Sequence, residues 1–302
     1  MSRPSERPLS RLLVAAGGLV GLRLQQACDE LGIQACLAEG EPEALVARAR
    51  ALGCDALHPG KAGAEDQVAL DEACGRAGLR LIAPGTALLT AMVDRAAVRQ
   101  RMRASGLPLS SGEEEGRQVR VAVLADARGR VVHLGVHHVP WPGLALSPVP
   151  WLTPEQRCYL GRLAVQGVSG LGLVGLVVVS FRVAGNRIGV EGLSPGLVGT
   201  EALDEALIGL DPLVEQLRLA AGEPLRQRQA MLEARGHALL WRFPLPREAC
   251  FSGGPGLRLD RLAEDGEAGL LAWGRRPEVA WRRGRRALVE LLGAREAAAR
   301  LP

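Results

Sequence analysis

Lysine is nearly missing from this 302-residue chain: of 37 basic side chains only Lys61 is a lysine, and the rest are arginine. With a formal net charge of only +4 and acidic residues interspersed nearly everywhere, the arginine excess reads as a compositional bias of the source. It does not read as a nucleic-acid-binding surface. No apolar run approaches the roughly 20 residues that cross a bilayer, which argues against a membrane role. The N-terminal stretch MSRPSERPLSR lacks the apolar centre of a signal peptide, so a cytoplasmic location is expected. Six cysteines (Cys28, Cys36, Cys54, Cys74, Cys158 and Cys250) stand far apart without a CxxC pair, so reduced thiols are expected instead of a disulfide frame or a metal site.

What is present is 47% hydrophobic, enough for two or three compact units. Residues 11–83 alternate strand and helix signals: strands over 12–16, 33–38, 55–57 and 79–83, and helices over 24–31, 42–52 and 65–77, stopped by Gly32, Gly53 and Gly78. Four such units predict a parallel sheet with crossover helices, a doubly wound α/β arrangement. A helix over 94–105 follows, closed by Gly106 and Pro108. Residues 118–125 and 131–138 form a hairpin with Val119, Val121 and Val123 on one face and a turn at 126–129.

The next stretch, VPWPGLALSPVPWL, reads as an apolar Pro-rich linker whose Trp141 and Trp151 either dock a partner or pack over a cleft. His133, His137 and His138 precede it, but no carboxylate or cysteine stands nearby at ligand spacing, so a strand role is expected. Thr153, Pro154 and Gln156 make a capping box for a helix running to about residue 166. A second hairpin, 173–183 with 187–191, turns at Gly185 and Asn186, and the stretch VEGLSPGLVGTEALDEALIGLDPLVEQLRLAAGEPL begins at its end. Asp211 and Pro212 start a helix there that Gly222 stops, while the first half reads as a strand end and loop. The arginine-rich run over 275–300 is either a solvated helix face or a surface for an acidic partner.

The chain resembles the biotin carboxylases of the ATP-grasp superfamily. The helix GLDPLVEQLRLAAGEPL resembles their Gly-Ile-Asp-Leu-Val helix that ends in Ala-Ala-Gly-Glu-Pro-Leu. Ala16 to Gly21 stand where they have Asn-Arg-Gly-Glu-Ile-Ala, GCDALHPG at 53–60 matches closely, and Met92, Val93, Asp94 and Arg95 fill their Met-Gly-Asp-Lys. RQVRVAVLADARGRVVHLG resembles their Arg-His-Val-Glu-Ile-Gln-Val-Leu-Ala-Asp hairpin, with Arg120 on the Glu, and GHALLWRFPLP and GGPGLRLD match further on. The resemblance places Gly17, Gly18, His58 and Arg95 as remnants of cofactor binding, and Arg242 on an arginine near biotin and bicarbonate. It also places Val178 and Gly192 on the two metal-binding Glu positions, Ser194 on an Asn, Gly196 on the catalytic Arg and Thr200 on a later Glu. Glu191 is one residue from the vacant metal position, and a bulge would bring it in.

The resemblance therefore implies a doubly wound N-terminal domain over 9–88, then 89–116 as helix and linker where the family's lid domain is missing. A truncated ATP-grasp core over 117–225 and a small β-rich C-terminal domain over 226–302 follow. Phosphoryl transfer depends on positioned Mg²⁺ and cations, so the expected product is a pseudoenzyme without metal or other cofactor, with no confident catalytic residue beyond the remnants Arg242 and Glu191. It would act as a structural or regulatory partner of an active biotin carboxylase subunit or the biotinyl carrier protein, in a biotin-dependent acyl-CoA (acetyl-CoA) carboxylase of fatty acid biosynthesis. The alternative is an ATP-dependent ligase using ATP, Mg²⁺ and biotin, its site divergent or completed by another chain. Family subunits commonly dimerise, which points to a homo- or hetero-oligomer through the region of Arg23 and the C-terminal domain.

Overall fold

A computed structural model describes residues 9–111, 115–262 and 266–301. Strand β1 (Arg11–Val14), helix α1 (Gly18–Glu30), β2 (Gln34–Leu37), α2 (Pro42–Ala51), β3 (Ala56–His58), α3 (Ala64–Ala77) and β4 (Arg80–Leu81) form a parallel sheet in the order β2-β1-β3-β4. Apolar side chains point to both faces. Leu12 and Val14 share a core with Leu24, Ala27 and Cys28 of α1, while Leu13 and Leu57 pack with Leu45 and Val46 of α2 and Leu70 and Ala73 of α3. Helices on both faces are what a sheet of short, almost wholly apolar parallel strands requires.

Two helices follow: α4 (Thr86–Val93), which the sequence reading did not separate, and α5 (Arg95–Ala104). Asp94 caps α5 by accepting from the backbone N–H groups of Ala96 and Ala97 at 2.9 and 3.0 Å. Beyond them lie β5 (Arg117–Ala125), β6 (Val131–Trp141), β7 (Leu144–Ser147), α6 (Pro154–Ser169), β8 (Gly175–Ala184), β9 (Arg187–Pro195), α7 (Glu201–Ile208) and α8 (Pro212–Ala220). Strands β10 (His237–Pro244), β11 (Leu257–Arg261) and β12 (Glu267–Gly274) and helices α9 (Pro277–Leu292) and α10 (Ala294–Ala299) complete the described chain. The capping box at Thr153 and Gln156 is formed in both directions, at 3.2 and 3.0 Å.

Three expectations are corrected. The Pro-rich segment is not a linker: Leu144–Ser147 is a fully buried strand paired with both β6 and β10. As a result the eight strands run β11-β12-β10-β7-β6-β5-β8-β9 in one sheet, across the expected boundary at 225/226. Neither tryptophan lines the cleft at β9. Trp141 packs with the C-terminal core and Trp151 with the α6 core, under the Arg117 guanidinium. Finally, β9 continues to Pro195, and α7 forms where a loop was expected. Residues 112–114 of the expected linker lie outside the described residues, as do residues 1–8 of the N-terminal stretch.

Helix α9 closes the C-terminal end of the sheet with Ala280, Gly284, Ala287, Leu288 and Leu291, a spacing that keeps one face inward. Gly284 is required there because a Cβ would stand 2.3 Å from Cη2 of Trp241. That ring is buried and its Nε1–H donates to the Arg300 carbonyl at 3.2 Å, so it has nowhere to retreat. Gly284→Val is therefore expected to destabilise the protein by about 2 kcal/mol, read as a lower urea midpoint with an unchanged m-value.

Candidate functional site in the cleft beside β8 and β9

A cleft of about 600 Å³ opens between the parallel sheet and the strands β8 and β9. The loop after β3 and the start of α3 supply Lys61 and Glu65, the α4–α5 segment supplies Arg95 and Arg99, and the strands supply Ser180, Glu191, Gly192 and Ser194. Arg99 donates to the Ser110 carbonyl at 2.5 Å, whereas Lys61 and Arg95 have no partner among the described residues. The chain's single lysine thus lines the cleft together with Arg95, the acids Glu65 and Asp66, and the hydroxyls of Ser180 and Ser194.

The bulge anticipated at Glu191 is present. Ser180 pairs with Gly192 and Phe181 with Val190, leaving Glu191 as the extra residue of β9. Its carboxylate is engaged: it accepts from Arg182 Nε at 2.6 Å and from Gln118 Nε2 at 2.8 Å. Val178 is buried in the apolar cluster beneath α8, beside Leu176 and Ala122, and pairs across the ladder with Ser194. Gly192 offers no ligand atom beyond its backbone. Gly196 sits at φ +69°, so an arginine here would need a left-handed backbone conformation costing roughly 1–2 kcal/mol.

Mg²⁺ in a nucleotide site takes its protein ligands from one or two carboxylates. Among the described residues no group of three or more His, Cys, Asp or Glu side chains is placed to hold a metal. The one carboxylate at the vacated position is neutralised by a guanidinium. With Glu191 tied to Arg182 and no carboxylate on Val178 or Gly192, the β8–β9 face does not fit a Mg²⁺–nucleotide centre; Glu65 and Asp66 line the cleft with Lys61 and Arg95.

The other residues singled out from sequence are placed elsewhere. The Gly17 N–H donates to Glu39 Oε1 at 2.9 Å, and Glu267 approaches the next turn at 3.5 Å from the Leu19 nitrogen. Carboxylates thus stand at the start of α1 where a phosphate would be held. His58 is buried at the end of β3: its Nδ1 accepts from the Gly60 N–H at 2.9 Å, which leaves Nε2–H to donate to Gln216 of α8 at 3.1 Å. Arg242 donates to the Gly199 carbonyl at 2.8 Å and borders a recess of about 30 Å³ separate from the main cleft. Arg120 lies on β5 and donates to Gln118 Oε1 at 3.2 Å.

Sequence reasoning missed a buried polar assembly on α7 and β6. His137 Nε2 lies 3.0 Å from Asp204 Oδ1, which also accepts from the Gly135 N–H at 2.8 Å, and Thr200 Oγ1 is 2.9 Å from His137 Nδ1. All three side chains are at most 4% exposed. They therefore hold α7 to β6 and present no reactive group to solvent. The partner of His137 lies 67 residues on, in a helix the pattern did not show, and the only sequence signal was an acid on the inward side of Leu203 and Leu207.

Arg23, looked to as an oligomer contact, is bound within the chain. It pairs with Glu205 at 2.6 Å and Asp211 at 2.8 Å, and Arg258 reaches the same Glu205 at 2.8 Å. Burial raises the Asp211 carboxyl above its usual range, with the Arg23 charge pulling the other way.

The parallel sheet with helices on both faces, joined to a large antiparallel sheet with the cleft between them, is the fold of the biotin carboxylase domain. A biotin carboxylase domain of a thermophilic 2-oxoglutarate carboxylase superposes with a TM-score of 0.84 at 20% identity, over 94% of this chain and 91% of that one. The Rhizobium etli pyruvate carboxylase gives 0.83 at 19% identity over 93% of this chain and 37% of that one. In sequence, a pyruvate carboxylase subunit of Methanothermobacter thermautotrophicus is 22% identical over 332 residues, covering 76% of this chain and 68% of that protein. Biotin carboxylase 1 of Bacillus subtilis is 22% identical over 94% of this chain and 91% of its own length. Some matches are partial, spanning 44% of the Allochromatium vinosum biotin carboxylase and 30% of a chloroplastic one from Populus trichocarpa. No family model matches the chain. The chain is a homologue of the biotin carboxylases, proteins of the ATP-grasp superfamily.

Proposed function

We propose that this chain is a non-catalytic biotin-carboxylase-like subunit, a structural or regulatory partner of an active biotin carboxylase or of the biotinyl carrier protein in an acyl-CoA carboxylase. The observation that carries the reading is the cleft face of β8 and β9. Where the resemblance places two metal carboxylates, the chain has a core valine, Val178, and a glycine, Gly192. The neighbouring Glu191 is tied to Arg182 and Gln118. The direct passage from α5 to β5, between Ala104 and Arg117, supports the absence of a lid domain. The division into units at 9–88, 89–116, 117–225 and 226–302 is retained within this proposal as a description of ancestry.

A second reading has one observation in its favour. Glu191 lies on a bulge and lines the cleft with Lys61 and Arg95, which have no partner among the described residues, and another chain that displaced Arg182 would free it for an ATP-dependent ligase using Mg²⁺ and biotin. Calorimetric titration of the purified protein with Mg-ATP and with ADP separates the two. No heat and an unshifted Tm at high nucleotide are expected. Binding at micromolar strength, about −8 kcal/mol, followed by bicarbonate-dependent ATP hydrolysis lost in Glu191→Ala, overturns the first reading in favour of the second.

A further inference from the structure

We infer that the groove between α9 and α10 is a docking site for an acidic amphipathic helix of a partner protein. The groove encloses about 730 Å³. Its apolar lining comes from Trp281 and Val289 of α9 and from Ala298 and Leu301 at the end of the chain's described part. Arg282 and Arg285 stand on its rim, both exposed and both without a hydrogen-bond or ion-pair partner among the described residues. One acid, Glu278, is the only opposing charge in the lining.

The residues share a face by helical arithmetic. Trp281 and Arg282 stand three and four residues after Glu278, Arg285 four and three after them, and Val289 four further on along α9. The opposite face, with Gly284, Ala287 and Leu288, is already buried on the sheet; of this stripe Trp281 also packs against the C-terminal core, while Glu278, Arg282, Arg285 and Val289 are exposed. Arg283 is different: it turns inward and donates to the Trp273 carbonyl at 2.6 Å. From Glu278 to Val289 the helix rises about 16 Å, the length of about three turns of a second helix. Trp281 meets the buried Trp241 edge to face at 5.7 Å, which fixes its ring as an anchor already ordered before a partner arrives.

Charge decides the occupant. A second copy docked through a two-fold axis would set Arg282 and Arg285 against their own equivalents. A nucleic acid would use the arginines but leave the apolar floor unsatisfied. A helix with leucine or phenylalanine at i, i+3, i+4 and i+7 and carboxylates beside them satisfies both. This inference concerns a face remote from the β8–β9 cleft and stands whether or not that cleft is catalytically silent.

The test uses the full chain and two synthetic 15-residue helical peptides with the same leucine stripe, one flanked by glutamates and one by lysines, followed by fluorescence anisotropy. The glutamate peptide is expected to bind saturably at 1:1. The lysine peptide and the Arg282→Glu/Arg285→Glu variant should each weaken binding at least tenfold. Val289→Asp, on a residue 39% exposed and outside the core, should weaken it as well while leaving the melting temperature unchanged. Equal binding of both peptides, indifference to the charge reversal, displacement of the peptide by a short DNA duplex, or a self-association in sedimentation that the charge reversal abolishes would each overturn the proposal.

Discussion

Asp204→Ala is expected to be the most destabilising single substitution outside the apolar cores, at about 3–5 kcal/mol. The carboxylate is 1% exposed and its Oδ1 serves two donors, the Gly135 N–H and His137 Nε2. Removing it strands both in a site that water does not reach, at about 1–3 kcal/mol each, and leaves a cavity besides. Asp204→Asn should cost less, because its amide oxygen can take the place of Oδ1. Oδ2 has no described partner in the native protein, so the amide NH₂ replaces an atom that is already unsatisfied. Equilibrium urea unfolding of the three proteins checks the order, and an alanine variant within 1 kcal/mol of the native protein would show that the network is not what holds α7. The consequence reaches past stability. Helix α7 follows Gly199, whose carbonyl receives Arg242, so loosening it frees the one arginine that the resemblance places near biotin.

The same network shows where sequence reasoning stops. Periodicity and caps made the βα alternation, both hairpins and the helices at Thr153 and Asp211 legible because these depend on neighbours a few residues away. Val119, Val121 and Val123 fall together in the α6-side core as their alternation requires. Apart from the short helix α4, the misses depend on distant partners. Leu144–Ser147 has the composition of a loop, with prolines and a glycine on both sides, and becomes a strand because β10, about a hundred residues on, supplies its second edge. Glu267 reaches the start of α1 across 248 residues. The bulge at Glu191 was legible in outline, but its occupation by Arg182 follows from the β8–β9 register, which the sequence alone does not state.

The cleft face and the scaffold beneath it have a common physical basis. Core positions such as Val178 and Val177 bind the two sheet faces to their helices, and replacing a buried metal carboxylate by valine removes the cost of a charge once no metal is there to balance it. Gly192 and Gly196 relieve the strand of side chains that would face the cleft without a partner. On the proposed reading these residues favour the fold at the expense of a cation site.

Acidification should weaken the protein through His58. Burial holds this imidazole well below its ordinary 6.5, at about 4, against the opposing effect of the Gln216 hydrogen bond. Its Nδ1 already accepts from the Gly60 N–H, so protonation would turn two donors toward each other at 2.9 Å. Above 6.5 the ring is neutral both folded and unfolded, and pH has no leverage. Between 6.5 and about 4 the unfolded chain binds a proton that the folded one refuses, so stability falls as pH falls, by about 1.36 kcal/mol per pH unit and roughly 3 kcal/mol by pH 4. Burial also lowers His133, His138 and His237, which adds to the slope in the same direction. His58→Asn isolates the term, because the Asn oxygen can still accept from Gly60. From pH 7 to 5 the native protein should lose about 2 kcal/mol more than this variant in urea unfolding, and parallel losses in the two proteins would refute the assignment.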